Sequence, residues 1–435
     1  MMRIGLSLGA QPSVIVDAQP PQVGPVLEAP ANLLSPEQTA LSDLSSVNLR
    51  SNWTVSNGTL SQVLGNGSAN DLRIDLAAPV IAGHPHVFTH RVVTPGTTGG
   101  VKVQFGGSGS AVGRLHFADE TLPQLEYFAG SSVSGAYTRI GFNPNDDNFD
   151  AVLAEPALFD LSTVDPNTVA CDVVLCLGDS NLSNAVSDYA SQANVETAFD
   201  PRIWYVPCLR ASSTFGPTGS ARHVPQPCIE PVQTAAAAQR VSPVHACAGE
   251  LVGWSAARNR PLLILSLADP GSGLNNTEDW RKGSSQATTG GRMYQEMLDM
   301  LAAVAALGPA HEIVGAVVSL GANDTTGADY TQVWEPIALQ FVADLRADVS
   351  PDLPIAWLTV GEHFNPQDDR GTRMLASIER LDQDSGSPVA VAGLKTCRPP
   401  TGNELIPGDS ADPHFNAHGM QVNGRVLGQA LSALL

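Results

Sequence analysis

The sequence predicts an α/β domain built on a mostly parallel sheet and, ahead of it, an all-β sandwich. The α/β prediction comes from short apolar runs that alternate with helical spacing after residue 170. The sandwich prediction comes from short stretches of alternating apolar and polar residues, separated by clusters of Gly, Asn and Ser. A proline-rich segment precedes both. We therefore divide the chain into an extended arm (1–40), a sandwich (41–165) and an α/β domain (166–435).

The arm carries six prolines between Pro12 and Pro36, which favour an extended chain over a packed element. Such an arm serves either as a linker or as a segment that docks on a partner. The stretch from Met1 to Ala10 imitates a signal peptide, but its apolar run is short and a proline follows. We expect it to be the folded or docked beginning of the mature chain.

Strands of the sandwich are predicted at 101–105, 115–117 and 140–142, with a closing strand at 158–159. In the α/β domain, buried strands are predicted at 173–177, 203–206, 262–267, 313–320 and 355–360. Helical spacing predicts helices around 294–304, 338–345 and 420–434.

Composition limits the classes of partner. A formal charge of −20 would repel phosphates, so it argues against nucleic acid and against anionic membranes. The chain has no run of about 18 apolar residues, so no spanning helix is expected. The cysteines, at positions 171, 176, 208, 228, 247 and 397, form no metal-type CxxC pair. Cys208 and Cys228 bracket a loop-like segment, so a disulfide between them and free thiols are both open.

Three segments carry candidate chemistry, and each follows a predicted strand or precedes the last helix. Gly178-Asp179-Ser180-Asn181 puts Ser180 at the carboxyl end of a buried strand. Gly321-Ala322-Asn323-Asp324 brings an amide to the same edge. Near the end of the chain, His414 could take a proton from a serine. Backbone amides and an asparagine side chain are suited to stabilise the anion that forms during acyl transfer.

In this order, the segments resemble those of the SGNH hydrolases, also called GDS(L)-type esterases, over about 171–435. The resemblance implies a flavodoxin-like three-layer fold. It makes Ser180 the nucleophile and an oxyanion-hole amide, Asn323 the oxyanion asparagine and His414 the base. A further oxyanion amide is implied in the stretch 268–273, where Gly271 is preferred and Gly273 is the alternative. With Trp280 downstream, this region is similar to the sialate O-acetylesterase and acetylxylan-esterase branch.

The chain departs from the family pattern at the aspartate of the triad. The family's aspartate lies three residues before the histidine, where this chain has Ala411. Asp412 lies two residues before His414 and is the candidate partner of its imidazole, while Asp409 lies five before. Otherwise the site would work as a Ser-His dyad.

Other polar residues are expected to be structural. His84, His86 and His90 form a cluster that is more typical of a solvated strand face than of a metal site. His414 and His418 lack the glutamate of a zinc motif, and Asp324 is expected to brace its loop. We therefore expect no metal and no cofactor.

The resemblance implies a serine esterase, most simply an O-acetylesterase acting on a glycan. The sandwich is loosely similar to carbohydrate-binding and jelly-roll modules of glycan-processing and phage tail proteins, and would hold the polymer. The main alternative is a structural or receptor-binding protein of a virion or cell surface, with the arm contacting other particle components. A tail-borne deacetylase would combine both, and a lipase or thioesterase of the same family is a third alternative. A virion or extracellular surface is the favoured location.

Overall fold

The fold is taken from a computed structural model. The structure describes residues 25–42, 47–48, 53–62, 72–76, 79–94, 96–97, 100–105, 112–117, 124–144, 150–183, 199–207, 223–228, 242–284, 291–360, 369–384, 389–393, 415 and 417–435.

The first part of the described chain is built from two antiparallel five-stranded sheets. The first sheet has the order β1-β4-β9-β6-β7 and the second the order β2-β3-β10-β5-β8. The strands are β1 (Val47–Asn48), β2 (Trp53–Ser56), β3 (Thr59–Gln62), β4 (Leu72–Asp75), β5 (His86–Thr94), β6 (Gly100–Phe105), β7 (Val112–Phe117), β8 (Gln124–Phe128), β9 (Arg139–Pro144) and β10 (Val152–Asp160).

The two sheets pack face to face around an apolar core, which confirms the predicted sandwich. Phe105 of the first sheet and Phe128 of the second meet with ring centroids 4.3 Å apart. Leu72 and Ile74 from the first sheet and Phe88 from the second are buried in the same core. In β4 and β6, alternate residues face this core, namely Leu72 and Ile74, and Val103 and Phe105.

The second part contains a seven-stranded sheet of order β13-β12-β14-β11-β15-β16-β17. Its strands are parallel except β13, which runs antiparallel to β12. They are β11 (Asp172–Gly178), β12 (Ile203–Pro207), β13 (Gln226–Pro227), β14 (Leu262–Ala268), β15 (Glu312–Ser319), β16 (Ile355–Leu358) and β17 (Val389–Ala392). Each predicted α/β strand is found. In flavodoxin's order the first parallel strand lies between the second and third, whereas here β11 lies between the third (β14) and the fourth (β15).

Helices cover both faces of this sheet, so the three-layer α/β fold is confirmed. They are α2 (Ser180–Ser183), α3 (Pro243–Ala257), α4 (Arg292–Ala305), α5 (Ala328–Asp348), α6 (Arg370–Asp384) and α7 (Ala417–Ser432). Successive residues of β11 point to opposite layers. Val173 and Leu175 share a core with α4, α5 and α6, whereas Val174 and Cys176 share one with α3 and α7.

The second sheet of the sandwich also packs against the α/β part through its outer face. Val87 and Leu125 belong to the same apolar core as Trp204 of β12. The ring of Tyr127 meets Trp204 edge to face at 5.8 Å. This sheet is therefore covered on both faces.

The described end of the arm lies across both parts of the chain. We call residues 25–35 the strap. The N–H of Leu27 donates to Ala256 O at 2.8 Å, and the N–H of Leu33 donates to Leu158 O at 2.7 Å. The strap ends at helix α1 (Pro36–Thr39), which Ser35 caps. The rest of the predicted arm, 1–24, lies outside the described residues.

The described helices include none with the length and apolar character needed to cross a bilayer. Nor do the described residues contain a group of three or more His, Cys, Asp or Glu side chains arranged to hold a metal ion. His86 and His90 are buried, so the expected solvated strand face is wrong for these two histidines. His84 pairs with Asp160, 2.8 Å from Nδ1 to Oδ2, and His86 Nδ1 lies 2.9 Å from the carbonyl oxygen of His84. Cys176 is buried inside β11 as expected, while Cys208 and Cys397 lie outside the described residues.

Candidate active site

Ser180 lies immediately beyond the carboxyl end of the central strand. Strand β11 ends at Gly178, and Ser180 is the first residue of α2. A Cβ on Gly178 would lie 2.8 Å from Ser319 O and 2.9 Å from the Cβ of Leu182, so only glycine allows the turn to pass this close to β15. Ser180 itself is half-buried. The predicted position of this serine is therefore found, while its role as nucleophile stays a prediction.

A buried carboxyl group holds this turn against the end of β15. Asp179 Oδ1 accepts the N–H of Asn181 at 3.0 Å and the hydroxyl of Ser319 at 3.4 Å. The N–H of Asp179 donates to Ser319 O at 2.9 Å. Burial raises the pKa of Asp179 to about 7, although hydrogen bonds from the backbone of Asn181 and of Asn323 oppose that rise. Asp179 thus links the Ser180 turn to the Asn323 segment.

Asn323 follows β15 and begins a 3₁₀ helix, Asn323–Thr326. Its side-chain Nδ2 donates a hydrogen bond to the carbonyl oxygen of Gly271. A carboxamide nitrogen carries two hydrogens, so this bond leaves one donor for another acceptor. The structure therefore brings Asn323 and Gly271, two predicted oxyanion residues, into direct contact.

The backbone amides of the two candidate glycines differ in availability. Gly273 donates its N–H to Thr277 Oγ1 at 2.9 Å. Gly271 is exposed in a left-handed conformation, with φ of +82°, and within the described residues its N–H makes no hydrogen bond. This difference supports Gly271 over Gly273 as an oxyanion donor, and the assignment stays a prediction.

Asp324 braces the loop that carries both glycines, as expected. Burial raises the pKa of its carboxyl group, and the hydrogen bonds that it accepts oppose that rise. The donors are the N–H groups of Leu274 (3.1 Å), Asn275 (2.9 Å) and Asn276 (2.8 Å), and Trp334 Nε1 (2.9 Å).

Trp280 holds the same loop through a hydrogen bond to Ser272. Its Nε1 donates to Ser272 Oγ at 3.0 Å, and Ser272 in turn donates to Asp269 O at 2.7 Å. The indole is buried and meets Phe341 edge to face at 6.2 Å. Trp280 is therefore a packing residue.

The candidate base and its partners cannot be placed in the same way. His414, Asp412 and Asp409 lie outside the described residues, so their roles stay predictions. The next residue, Phe415, is buried and lies just ahead of α7.

Sequence reasoning missed several residues that shape the site. The sequence places Asp179 in the motif around Ser180 but does not indicate the contacts of its buried carboxyl group. Asn276 donates its Nδ2 to Asn323 O at 3.0 Å, and Arg370 Nη1 donates to Thr325 O at 3.0 Å and to Thr326 O at 2.6 Å. These contacts join residues 44 to 47 positions apart, so no local sequence pattern predicts them.

Comparisons with known proteins give likenesses to solved structures alone. No protein-family model matches the chain, and no curated protein matches it. A protein from Arabidopsis thaliana is 15% identical over 60% of this chain and 98% of its own, with a TM-score of 0.43. A family two carbohydrate esterase from Cellvibrio japonicus is 13% identical over 93% and 97%, with a TM-score of 0.36. A carbohydrate acetylesterase from Xanthomonas citri is 13% identical over 84% and 71%, with a TM-score of 0.39. Function is therefore inferred from the site of this chain itself.

Proposed function

We propose that the chain is a serine esterase that removes acyl groups, and acetyl groups in particular, from a glycan. The main support is the meeting of three segments at the carboxyl edge of the parallel sheet. Asp269 N–H donates to Gly178 O at 3.1 Å, next to the Ser180 turn, and Asn323 contacts Gly271. Ligands of open α/β sheets bind at this edge.

In the proposed reaction, Ser180 Oγ attacks the ester carbonyl while His414 takes the hydroxyl proton. The carbonyl oxygen becomes an anion that the amides of Ser180 and Gly271 and the free Nδ2 hydrogen of Asn323 stabilise. His414 then returns the proton to the leaving alcohol of the sugar. Water hydrolyses the acyl-serine in a second step, which releases the acid and restores Ser180. Asp412 would orient His414, or the pair would act as a dyad.

We infer the preference for acetyl groups from Asn181, which directly follows Ser180. The same order of serine and asparagine is typical of the acetylesterase branch of the SGNH hydrolases. A site for acetate needs only a small acyl pocket, so turnover should fall as the acyl chain lengthens. A lipase or thioesterase would show the opposite trend.

The test compares hydrolysis of p-nitrophenyl acetate and p-nitrophenyl octanoate by the native chain and by Ser180→Ala, His414→Ala and Ser61→Ala. Ser61 is on the sandwich, where its hydroxyl contacts Thr54, so it is the control. We expect acetate to be preferred, and Ser180→Ala and His414→Ala each to lower turnover by about 10³-fold or more. Native turnover by Ser180→Ala would refute the nucleophile. Absence of turnover of both esters would favour the structural alternative, for which copies of the chain in isolated particles are the direct test.

A further inference from the structure

We propose that the sandwich holds a second binding site, for a neutral oligosaccharide, in a cavity separate from the candidate active site. The cavity has a volume of about 670 Å³ and lies between helix α1 and the second sheet. This volume is within the usual range for small-molecule sites. Its polar lining includes Asn57, Thr59, Arg91 and Glu155, and its apolar lining includes Leu34 and Val93.

A bidentate ion pair forms the polar side of the cavity. Arg91 donates from Nε to Glu155 Oε2 at 3.0 Å and from Nη2 to Oε1 at 2.8 Å. The Arg91 side chain is 48% exposed and that of Glu155 is 59% exposed. Within the described residues, Arg91 Nη1 makes no hydrogen bond, so its two N–H groups can donate to a ligand. These donors lie beside lone pairs of the Glu155 carboxylate that can accept. Adjacent donors and acceptors suit the neighbouring hydroxyl groups of a sugar, and the pair's zero net charge favours a neutral one.

The backbone is strained at Glu155, one of the two partners in this pair. Glu155 has φ of +54°, at a bulge of β10 where the pairing register with β5 shifts between Ala154 and Ala157. Asn57 also has a positive φ, of +51°, but with Gly58 it forms the two-residue turn between β2 and β3, where asparagine adopts this conformation readily. A glutamate adopts this conformation at a cost in conformational energy, and such strain concentrates at functional sites.

The ion pair alone does not account for that strain. Exposed pairs contribute little to stability, so the bond between Arg91 and Glu155 does not offset a left-handed glutamate. A ligand that contacts both side chains accounts for the bulge, because β-bulges often change the direction of side chains beside binding sites.

The apolar side of the cavity matches the remaining face of a sugar ring. Val93 is 40% exposed although it is a large apolar residue. Leu34, near the end of the strap, is buried and also lines the cavity. The C–H face of a pyranose can cover such a surface while its hydroxyl groups reach Arg91 and Glu155. This site does not depend on the proposed esterase activity, because Ser180 is not part of it.

The test is retention on an array of neutral and acidic oligosaccharides, with the full chain carrying Ser180→Ala so that no ester is consumed. Arg91→Ala and Asn57→Gly are compared in this background. The glycine variant keeps the left-handed turn and removes only the amide. The control is Arg139→Ala, which breaks an equally exposed pair with Asp75 elsewhere on the sandwich.

We expect the parent and Arg139→Ala to retain neutral oligosaccharides, and Arg91→Ala to retain about tenfold less, since it removes charge-assisted hydrogen bonds. Asn57→Gly should also weaken retention. If Arg91→Ala does not fold, the retention of Asn57→Gly relative to Arg139→Ala tests the proposal on its own. Retention of acidic glycans alone, of no glycan, or equally by Arg91→Ala and Arg139→Ala would overturn the proposal. Esterase activity is measured separately on the Ser180-containing chain, so either hypothesis can fail alone.

Discussion

The carboxyl group of Asp179 connects two segments that are far apart in the sequence. Its contacts to Asn181 and Ser319 join the end of β11 to the end of β15. Because burial raises the pKa of Asp179 to about 7, this link is sensitive to pH in the neutral range. Between the ordinary carboxyl pKa and about 7, the folded chain keeps a proton that the unfolded chain has released. Stability should therefore fall as the pH rises through that window.

We expect Asp179→Asn to remove this pH dependence. In the native chain, the free energy of unfolding should decline by up to about 1.4 kcal/mol per pH unit because of this one group. The asparagine cannot titrate, so the difference in stability between pH 5 and pH 8 should shrink. Denaturant unfolding at both pH values measures it, with Asp75→Asn on the sandwich surface as the control. An unchanged difference in Asp179→Asn would show that Asp179 does not titrate in this range.

Asn323 is expected to act on the reaction rather than on substrate binding. Asn323→Ala removes one oxyanion donor, so kcat for p-nitrophenyl acetate should drop about 10²- to 10³-fold with little change in KM. Thr326→Ala is the control, because Thr326 belongs to the same 3₁₀ helix as Asn323 and its hydroxyl accepts a hydrogen bond from Asn276 Nδ2 at 3.1 Å. Equal effects of the two substitutions would mean that the turn is disturbed and that Asn323 has no special role.

At this scale the sequence predicted which residues approach the sheet edge but not what holds them. Ser180 and Asn323 could be placed because each directly follows a recognisable strand. The carboxylates of Asp179 and Asp324 meet donors that the fold brings together over 140 and about 50 residues, so their contacts depend on tertiary structure. The choice between Gly271 and Gly273 likewise required the bond to Thr277.

Among the elements, α3 and α7 make an unusually close contact. A Cβ on Gly424 of α7 would lie 2.1 Å from Pro243 O, and one on Gly428 would lie 2.7 Å from Cys247 O. The backbones approach this closely because these glycines have no side chain. Gly253 of α3, by contrast, faces open space.

Gly424→Ala and Gly253→Ala should therefore change stability in opposite directions. We expect Gly424→Ala to lower the free energy of unfolding by about 1–3 kcal/mol through overpacking. Gly253→Ala should raise it by about 0.5–1 kcal/mol, because alanine favours an exposed helix position. Thermal unfolding of both variants measures this. Stabilisation by Gly424→Ala would show that the helices are further apart than described.

The sequence predicted elements with a clear apolar run or stripe and missed those without one. Strands β11, β14 and β15 are continuous apolar runs, so they were found. Helix α3 packs on the sheet beside α7, and its apolar residues are not confined to one side, so it has no stripe to recognise. Helix α5 continues through Pro336, a residue that normally ends a helix. The short alanine-rich β17 also lacked a signal.

For the whole molecule, the second sheet of the sandwich connects the two halves of the described chain. Its outer face packs on β12 through Tyr127 and Trp204, and the strap bonds to both halves. Composition and pattern predicted separate units, but not that outer-face residues of the second sheet join the apolar core of the α/β part, since no local signal marks an outward-facing residue as an interface residue.

We expect the native chain to unfold in a single calorimetric transition and Tyr127→Ala to separate it into two. The substitution removes the ring that meets Trp204, so the halves should lose part of their coupling, by about 2 kcal/mol. Tyr137→Ala is the control, because that ring stacks on Phe105 inside the sandwich at 5.8 Å. The control should lower the transition temperature without splitting the transition. A split in the control but not in Tyr127→Ala would contradict the coupling.

The margin of the seven-stranded sheet that β13 forms has a consequence for aggregation. It ends in β13, which is two residues long and finishes at Pro227, so proline occupies half of the outermost strand. Unprotected sheet margins template the growth of β-structure from one molecule to the next. Proline offers no N–H to an incoming strand, and so short a segment cannot align one. Both features disfavour the stacking of chains into aggregates at this margin.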